Sequence, residues 1–309
     1  MNLARTSRHL VDRGSAAGPR SPYVIMNILL IDGKNTAYRA AFAARGTFAE
    51  SQNKYHPFVM WLRLTNMILE KFKPVATHIF WDCPKNDVWR KRVFAEYKDN
   101  RDSMPHYADD VQQELGRLIA AAKDILPYMG VRQYEKASQE SDDLIYTACE
   151  LLRQAGQETR VVIVSSDSDF AQLQWSMPHV SVYDPKRNAI IDHPTISPVV
   201  LKALSGDRSD NIDGYRGIGP VKGKQLVQDK KKLIEFLDAV GDHKFKRNLA
   251  LIDMSMNPAR LSNMLYVMRV MCSDIQFDKS AINVVAMKHK ILGLSTEYPK
   301  VALSFKRLV

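Results

Sequence analysis

Residues 161–169 read Val161-Val162-Ile163-Val164-Ser165-Ser166-Asp167-Ser168-Asp169, four apolar residues followed closely by two aspartates. A short apolar run bounded by polar residues reads as a strand. The same signature occurs twice upstream, in Ile28-Leu29-Leu30-Ile31-Asp32 and His78-Ile79-Phe80-Trp81-Asp82. Longer segments with helical periodicity lie around these runs, at Pro57–Phe72, Val111–Leu126 and Asp142–Gln154, and Val180–Tyr183 adds a further strand. Strands alternating with helices predict an α/β fold over residues 26–195, a mostly parallel sheet flanked by helices on both faces. After Pro194 the strands are expected to stop. Helical segments at Pro198–Leu204, Pro220–Asp229, Lys231–Val240, Phe245–Asp253 and Pro258–Met271 predict a helical subdomain over 196–309, punctuated by Gly and Pro.

In open parallel sheets, groups at the carboxyl ends of the strands collect in one crevice. Asp32, Asp82, Asp167 and Asp169 therefore converge. Glu140-Ser141-Asp142-Asp143 adds three acids at a helix start, and Asp207 with Asp210 adds two more, for nine carboxylates in all. Taken singly, Glu140, Asp142 and Asp143 also suit a helix N-terminus, and Asp167 suits a cap. Taken together, so many acids repel one another unless a cation joins them. Hard oxygen donors select Mg²⁺ or Mn²⁺, and two such ions stabilise the attacking and leaving oxygens of a phosphodiester.

The chain has 309 residues, which suggests two domains, and 14 Gly and 14 Pro exclude collagen-like and low-complexity classes. No apolar run approaches the roughly 18 residues of a membrane span, so a soluble protein is expected. Lys and Arg total 44 against 34 Asp and Glu, a net charge of +10 that suits a polyanionic partner. The three cysteines, Cys83, Cys149 and Cys272, have no zinc or disulfide spacing and fit a reducing compartment. Residues 1–25 carry Arg5, Arg8, Arg13 and Arg20 against Asp12 and no apolar stretch. They read as a basic leader outside the fold, with organellar targeting the less favoured reading.

Five ordered blocks resemble the structure-specific 5′-nucleases, the family of flap endonucleases, phage 5′-3′ exonucleases and the nuclease domain of bacterial DNA polymerase I. They are Asp32-Gly33-x5-Arg39, Asp82 followed by Tyr97-Lys98-x-x-Arg101, Glu140-x-Asp142-Asp143, Asp167-x-Asp169-x-x-Gln172-Leu173, and Gly206-Asp207-x-Ser209-Asp210-Asn211. The resemblance spans most of residues 26–275. It implies a PIN-like sheet with a C-terminal helix-three-turn-helix subdomain, and hydrolysis by metal-activated water without a covalent intermediate. It places Asp32, Asp82, Glu140 and Asp142 near one metal and Asp167, Asp169, Asp207 and Asp210 near a second, with Asp143 as the family's common extra acid. It also gives Lys98, Arg101 and Arg39 catalytic roles, with Lys98 and Arg101 at the base of an arch over about Lys85–Glu114, where Ser103-Met104-Pro105 and weak periodicity predict ordering only on DNA.

Arg90-Lys91-Arg92, Lys98 and Arg101 place five cations within twelve residues, interleaved with Trp89, Phe94 and Tyr97. Arg90 and Arg92 read either as DNA contacts or as a solvated face, and Tyr97 and Tyr107 either as stacking platforms or as packing. Gly217-Ile218-Gly219-Pro220 can form a tight turn that faces backbone amides to a phosphate. By resemblance it is the duplex-binding helix-three-turn-helix, usually with a K⁺ ion. Asp213 stands where the family usually has Pro and Val221-Lys222-Gly223 where it has Lys-Thr-Ala, but Lys222, Lys224 and Lys230-Lys231-Lys232 supply cations.

The expected activity is Mg²⁺-dependent 5′-3′ exonuclease and flap endonuclease action on DNA, or on RNA primers in hybrid, at 5′ ends, flaps or nicks. A PIN-like ribonuclease and a catalytically silent branched-DNA-binding protein are the alternatives. The Gly217–Gly219 turn and the basic insertion argue against the first, and the full acid set against the second. A free-standing, monomeric, cytoplasmic nuclease of a bacterium or phage-infected cell is the expectation from length and resemblance.

Overall fold

The structure, a computed structural model, describes residues 26–48, 56–102, 109–154, 159–291 and 294–308. The basic leader, residues 1–25, and Tyr107 lie outside the described residues, as does the Arg101 side chain. The chain opens with β1 (Met26–Asp32), α1 (Gly33–Phe48), α2 (Pro57–Phe72) and β2 (Ala76–Phe80). Next come α3 (Arg90–Val93), α4 (Asp109–Ile125), β3 (Arg132–Tyr134), α5 (Ser141–Gln154), β4 (Thr159–Val164), α6 (Ala171–Ser176), β5 (Val180–Asp184) and β6 (Ala189–Ile190). They form one sheet in the order β3-β2-β1-β4-β5-β6, parallel except for β6.

Successive β1 side chains point to opposite faces. Leu29 and Ile31 pack with residues of α1, α2 and α4, whereas Leu30 packs with residues of α5, α6 and β4. Each face is thereby sealed by helices, as an almost wholly apolar parallel sheet requires. Pro57 occupies the first turn of α2, the His56 ring accepts from the Phe58 amide at 3.2 Å, and Lys73 ends the helix in the left-handed region at φ 44°.

From β1 the chain moves outward to β2 and β3, then crosses back to place β4 on the other side of β1. The order reverses at β1/β4, where the crevice outside the strand ends opens. Asp32 closes β1, and Asp167 follows β4 by three residues. Gly33 is required there, because a Cβ would sit 2.5 Å from the Trp81 ring and 2.8 Å from the Phe80 carbonyl oxygen.

Beyond the sheet lie α7 (Pro198–Ser205), β7 (Gly206–Asp207), β8 (Ile212–Asp213), α8 (Pro220–Gln228), α9 (Lys230–Val240), α10 (His243–Ile252), α11 (Arg260–Met271), α12 (Lys279–Lys288) and α13 (Leu294–Lys306). Strands do not stop at Pro194. The antiparallel pair β7/β8 frames Asp207 and Asp210, and two-residue strands carry no periodicity to read. Within the expected arch, residues 85–102 form short helical turns and α4 begins at Asp109, while Ser103-Met104-Pro105 and the rest of 103–108 lie outside the described residues.

Buried amides and a guanidinium tie residues 248–263 to the acid-bearing loops. The Arg90 Nε donates to the Leu251 carbonyl at 2.8 Å, and Gln172 donates to the Ile252 carbonyl and accepts from the Met254 amide, each at 3.1 Å. Asn248 donates to the carbonyls of Ala203 and Asp213 at 3.0 and 2.8 Å. Asn257 and Asn263 both donate to Gln139 Oε1 at 2.7 Å.

Candidate active site

A cavity of about 510 Å³ opens at the β1/β4 crevice, and Asp32, Asp82, Glu140, Asp142 and Asp167 line it together with Lys98. Each acid is oriented by a neighbour. Asp32 accepts from the Ser165 hydroxyl at 2.9 Å and the Asn35 amide at 3.2 Å. Asp82 accepts from the Ser141 amide at 2.9 Å, which points it at the start of α5, and its other oxygen pairs with Lys34 at 3.2 Å. Asp167 caps the turn that follows by accepting from the Asp169 amide at 2.9 Å.

Asp169 and Asp207 flank Lys202, which pairs with Asp169 and, at 2.6 Å, with Asp207. Glu140 pairs with Lys98 at 2.5 Å and with Arg90 at 2.9 Å, and Asp210 lies 3.7 Å from Lys98. Among the described residues, no three acids close to metal-coordinating separation. The gathering expected from the sequence is therefore a shared cavity flanked by acid–lysine pairs rather than a finished cage.

The electrostatics divide the acids. Burial raises the Asp32 carboxyl to about 7, with repulsion from Asp82 and Asp167 adding to it. Asp142 is raised for the same reasons, burial first and Asp167 second. Asp169 is raised to about 6 by burial and Asp167, against the pull of Lys202. Burial also works against Glu140, but Lys98 and Arg90 overcome it and hold the carboxyl down at about 2. Burial opposes ionisation of Asp207 as well, and Lys202 lowers it. Asp32, Asp142 and Asp169 are thus short of positive charge, and their hard oxygens suit Mg²⁺ or Mn²⁺.

Three expectations change. Arg90 is 3% exposed and spends its guanidinium on Glu140, on both Asp143 oxygens and on the Leu251 carbonyl, so it offers nothing to DNA. Asp143, fixed by Arg90 and by the Trp89 indole at 3.0 Å, is a structural counterion rather than a metal ligand. Tyr97 is 2% exposed, with its hydroxyl 3.1 Å from Glu140 and 3.0 Å from Asp210, so packing prevails over base stacking. Basic and aromatic residues interleaved in sequence do not reveal which of them turn inward.

Lys98 reaches the acids from a left-handed backbone, φ 61°, held in place by the hydrogen bond its backbone N–H donates to the Asp210 carbonyl at 3.0 Å. Such conformations are costly for residues with a Cβ and concentrate at functional sites. Arg39 lies half-buried on α1, and Arg92 is exposed, donating to the Ser138 hydroxyl at 3.1 Å. Gly217 takes φ 76° in an exposed turn, Gly219 precedes α8 with Pro220 in its first turn, and Lys222 and Lys224 project from α8 into solvent. Sequence reasoning overlooked Lys34 and Lys202. Lys202 was accessible, standing five positions before Asp207 on an expected helix.

Residues 27–200 match the family model described as 5′-3′ exonuclease, N-terminal resolvase-like domain. A 5′-3′ exonuclease of Mycoplasma pneumoniae is 32% identical over 219 residues, 65% of this chain and 72% of that protein. The DNA polymerase I of Bacillus caldotenax is 30% identical over 242 residues, 72% of this chain but only 26% of the polymerase. The chain thus spans about a quarter of the polymerases it matches. A bacteriophage T5 flap endonuclease structure, a pseudo-enzyme-product complex with DNA and metal ions, superposes with a TM-score of 0.62 at 17% identity. It covers 85% of this chain and 99% of that one, showing a shared fold. Over half its length, and with the acid-lined crevice at the sheet's switch point, the chain belongs to the 5′-3′ exonuclease family.

Proposed function

We propose that the chain is a divalent-metal-dependent 5′-nuclease that hydrolyses phosphodiester bonds where single-stranded and double-stranded DNA meet. The observation that carries this reading is the sharing of one cavity by under-neutralised acids and Lys98. Asp32, Asp82, Glu140 and Asp142 would hold one Mg²⁺ or Mn²⁺ and Asp167, Asp169, Asp207 and Asp210 a second. When bound, the ions supply an activated water and neutralise charge on the phosphate. Lys98, released from Glu140, takes a non-bridging oxygen of the scissile phosphate, where a fixed cation favours the transition state. Tyr97 keeps Glu140 and Asp210 in register beneath it.

The duplex would rest on the Gly217–Gly219 turn and on Lys222 and Lys224, and a K⁺ ion there is proposed on the resemblance alone. Arg101 and Arg39 are assigned to the reaction on the same basis, and Arg92 to DNA. RNA primers in hybrid, a monomeric state and a cytoplasmic location belong to the same proposal, and no helix among the described residues is long and apolar enough to cross a membrane.

The test is cleavage of a labelled 5′ flap with Mg²⁺ and then with EDTA, beside a 3′ flap and a closed single-stranded circle. Cutting of the 5′ flap alone, abolished by EDTA, is expected. Rapid cutting of the circle or equal cutting of the 3′ flap would overturn the reading in favour of an open-cleft endonuclease.

A further inference from the structure

Resting on the nuclease reading, we propose that Lys34 is a second phosphate-contacting cation of this site, held on Asp82 until a divalent ion claims that carboxylate. Lys34 follows Asp32-Gly33 directly and lines the same cavity as Lys98. Its ammonium lies 3.2 Å from Asp82 Oδ2.

Two further observations separate Lys34 from an ordinary surface lysine. First, it sits in the opening turn of α1, which has no acidic residue of its own, so its charge opposes the positive end of the helix dipole. A cation placed there is unfavourable by itself and is explained by the acids in front of it. Second, the site's cations differ in access. The Lys98 and Lys202 side chains are 14% and 24% exposed and each bridges two carboxylates, while that of Lys34 is 52% exposed and holds one. Its ammonium can therefore leave with little desolvation cost and reach a phosphate entering from solvent, acting as a point charge. Lys34 thus competes with metal in the free protein and supports the substrate in the loaded one.

These two roles predict effects of opposite sign. In Lys34→Ala, Ca²⁺ binding followed by calorimetry without DNA should tighten about threefold, as loss of an exposed ion pair allows. Affinity for a 5′-flap DNA in Ca²⁺ should fall about threefold or more, and the salt slope should drop by about 0.9, one phosphate contact. Single-turnover cleavage in saturating Mg²⁺ should slow about tenfold. Lys34→Arg keeps the charge and should stay within about twofold of the wild type in each measurement. Unchanged or weaker Ca²⁺ binding in Lys34→Ala overturns the proposal, and so does unchanged flap affinity. A wild-type chain that cuts no flap in Mg²⁺ would sink the nuclease reading instead, and both Ca²⁺ measurements would still decide the role of Lys34.

Discussion

Two groups of acids lie side by side at the sheet's carboxyl edge and meet opposite electrostatic fates. Around Arg90 the protein supplies its own cations, and Glu140 stays ionised well below its ordinary range although it is buried. Around Asp32 it supplies hydroxyls and amides but too little charge, and Asp32 and Asp142 are pushed up. Burial is common to both, so the difference lies in the counterion. Asp143, held only by the buried guanidinium and neighbouring N–H groups, belongs to the scaffold, Glu140 is kept ionised by Lys98 and Arg90 at the edge of the cavity, and Asp32, left with dipoles, is short of a cation.

The largest expected effect tests the second group. Asp167→Ala combined with Asp169→Ala should abolish flap cleavage while leaving flap binding within about tenfold, because phosphate contacts supply most of the affinity. Retained Mg²⁺-dependent cutting in a single-turnover assay would erase the distinction. The next contrast sets the groups against each other in thermal unfolding without metal. Arg90→Met strands buried Asp143, leaves Glu140 to Lys98 alone, and should cost about 3–5 kcal/mol. Asp32→Asn removes repulsion and should raise Tm, while losing the further rise that Mg²⁺ gives the wild type. A fall in Tm for both variants would show that Asp32 is scaffold too.

Finer effects follow at the basic residues. Lys98→Ala should slow single-turnover cleavage far more than it weakens binding. Lys222→Ala with Lys224→Ala should weaken binding and lower the salt slope by up to about 2. Equal effects on rate and affinity from both changes would remove the division between reacting and holding cations.

The smallest effect uses His56 as a reference outside both groups. Burial lowers its ring to about 4, with Arg117 and then His289 contributing. Between pH 6.5 and 4 the unfolded chain takes up the proton and the folded chain does not. The stability this gives is present above pH 6.5 and is lost as pH falls toward 4, by at most about 2 kcal/mol. His56→Asn keeps a capping acceptor and should shrink that loss, measured by urea unfolding at pH 7 and 5, equally with and without Mg²⁺. A Mg²⁺-dependent difference would tie His56 to the metal site.

The acids were legible because each follows an apolar run or opens a helix, where local sequence and sheet geometry agree. The α2 helix was equally plain, with Pro57 at its start and its full span in the periodicity. By contrast β3, Arg132-Gln133-Tyr134, is a short strand at the sheet edge without an apolar run. The inward turn of Arg90 was hidden for another reason. Its partners Glu140 and Asp143 are 50 and 53 residues away, and its third contact, the Leu251 carbonyl, is 161 away. Charge patterning within a window of a dozen residues cannot distinguish such an arginine from Arg92, two positions on, which stays in solvent.

The ties from residues 248–263 also bear on where this chain can be divided. Cutting after residue 200, where the family match ends, would strip partners from Arg90, Gln172 and Gln139 at once. An autonomous unit therefore reaches at least Asn263, and Ile282, Val301 and Phe305, buried in the same core as Leu29, Trp61 and Leu118, extend it into α12 and α13. For protein engineering, shuffling the sheet half between relatives without residues 248–263 should yield insoluble chimeras, whereas exchange of α8 and α9, whose side chains are almost all at least partly exposed, should be tolerated.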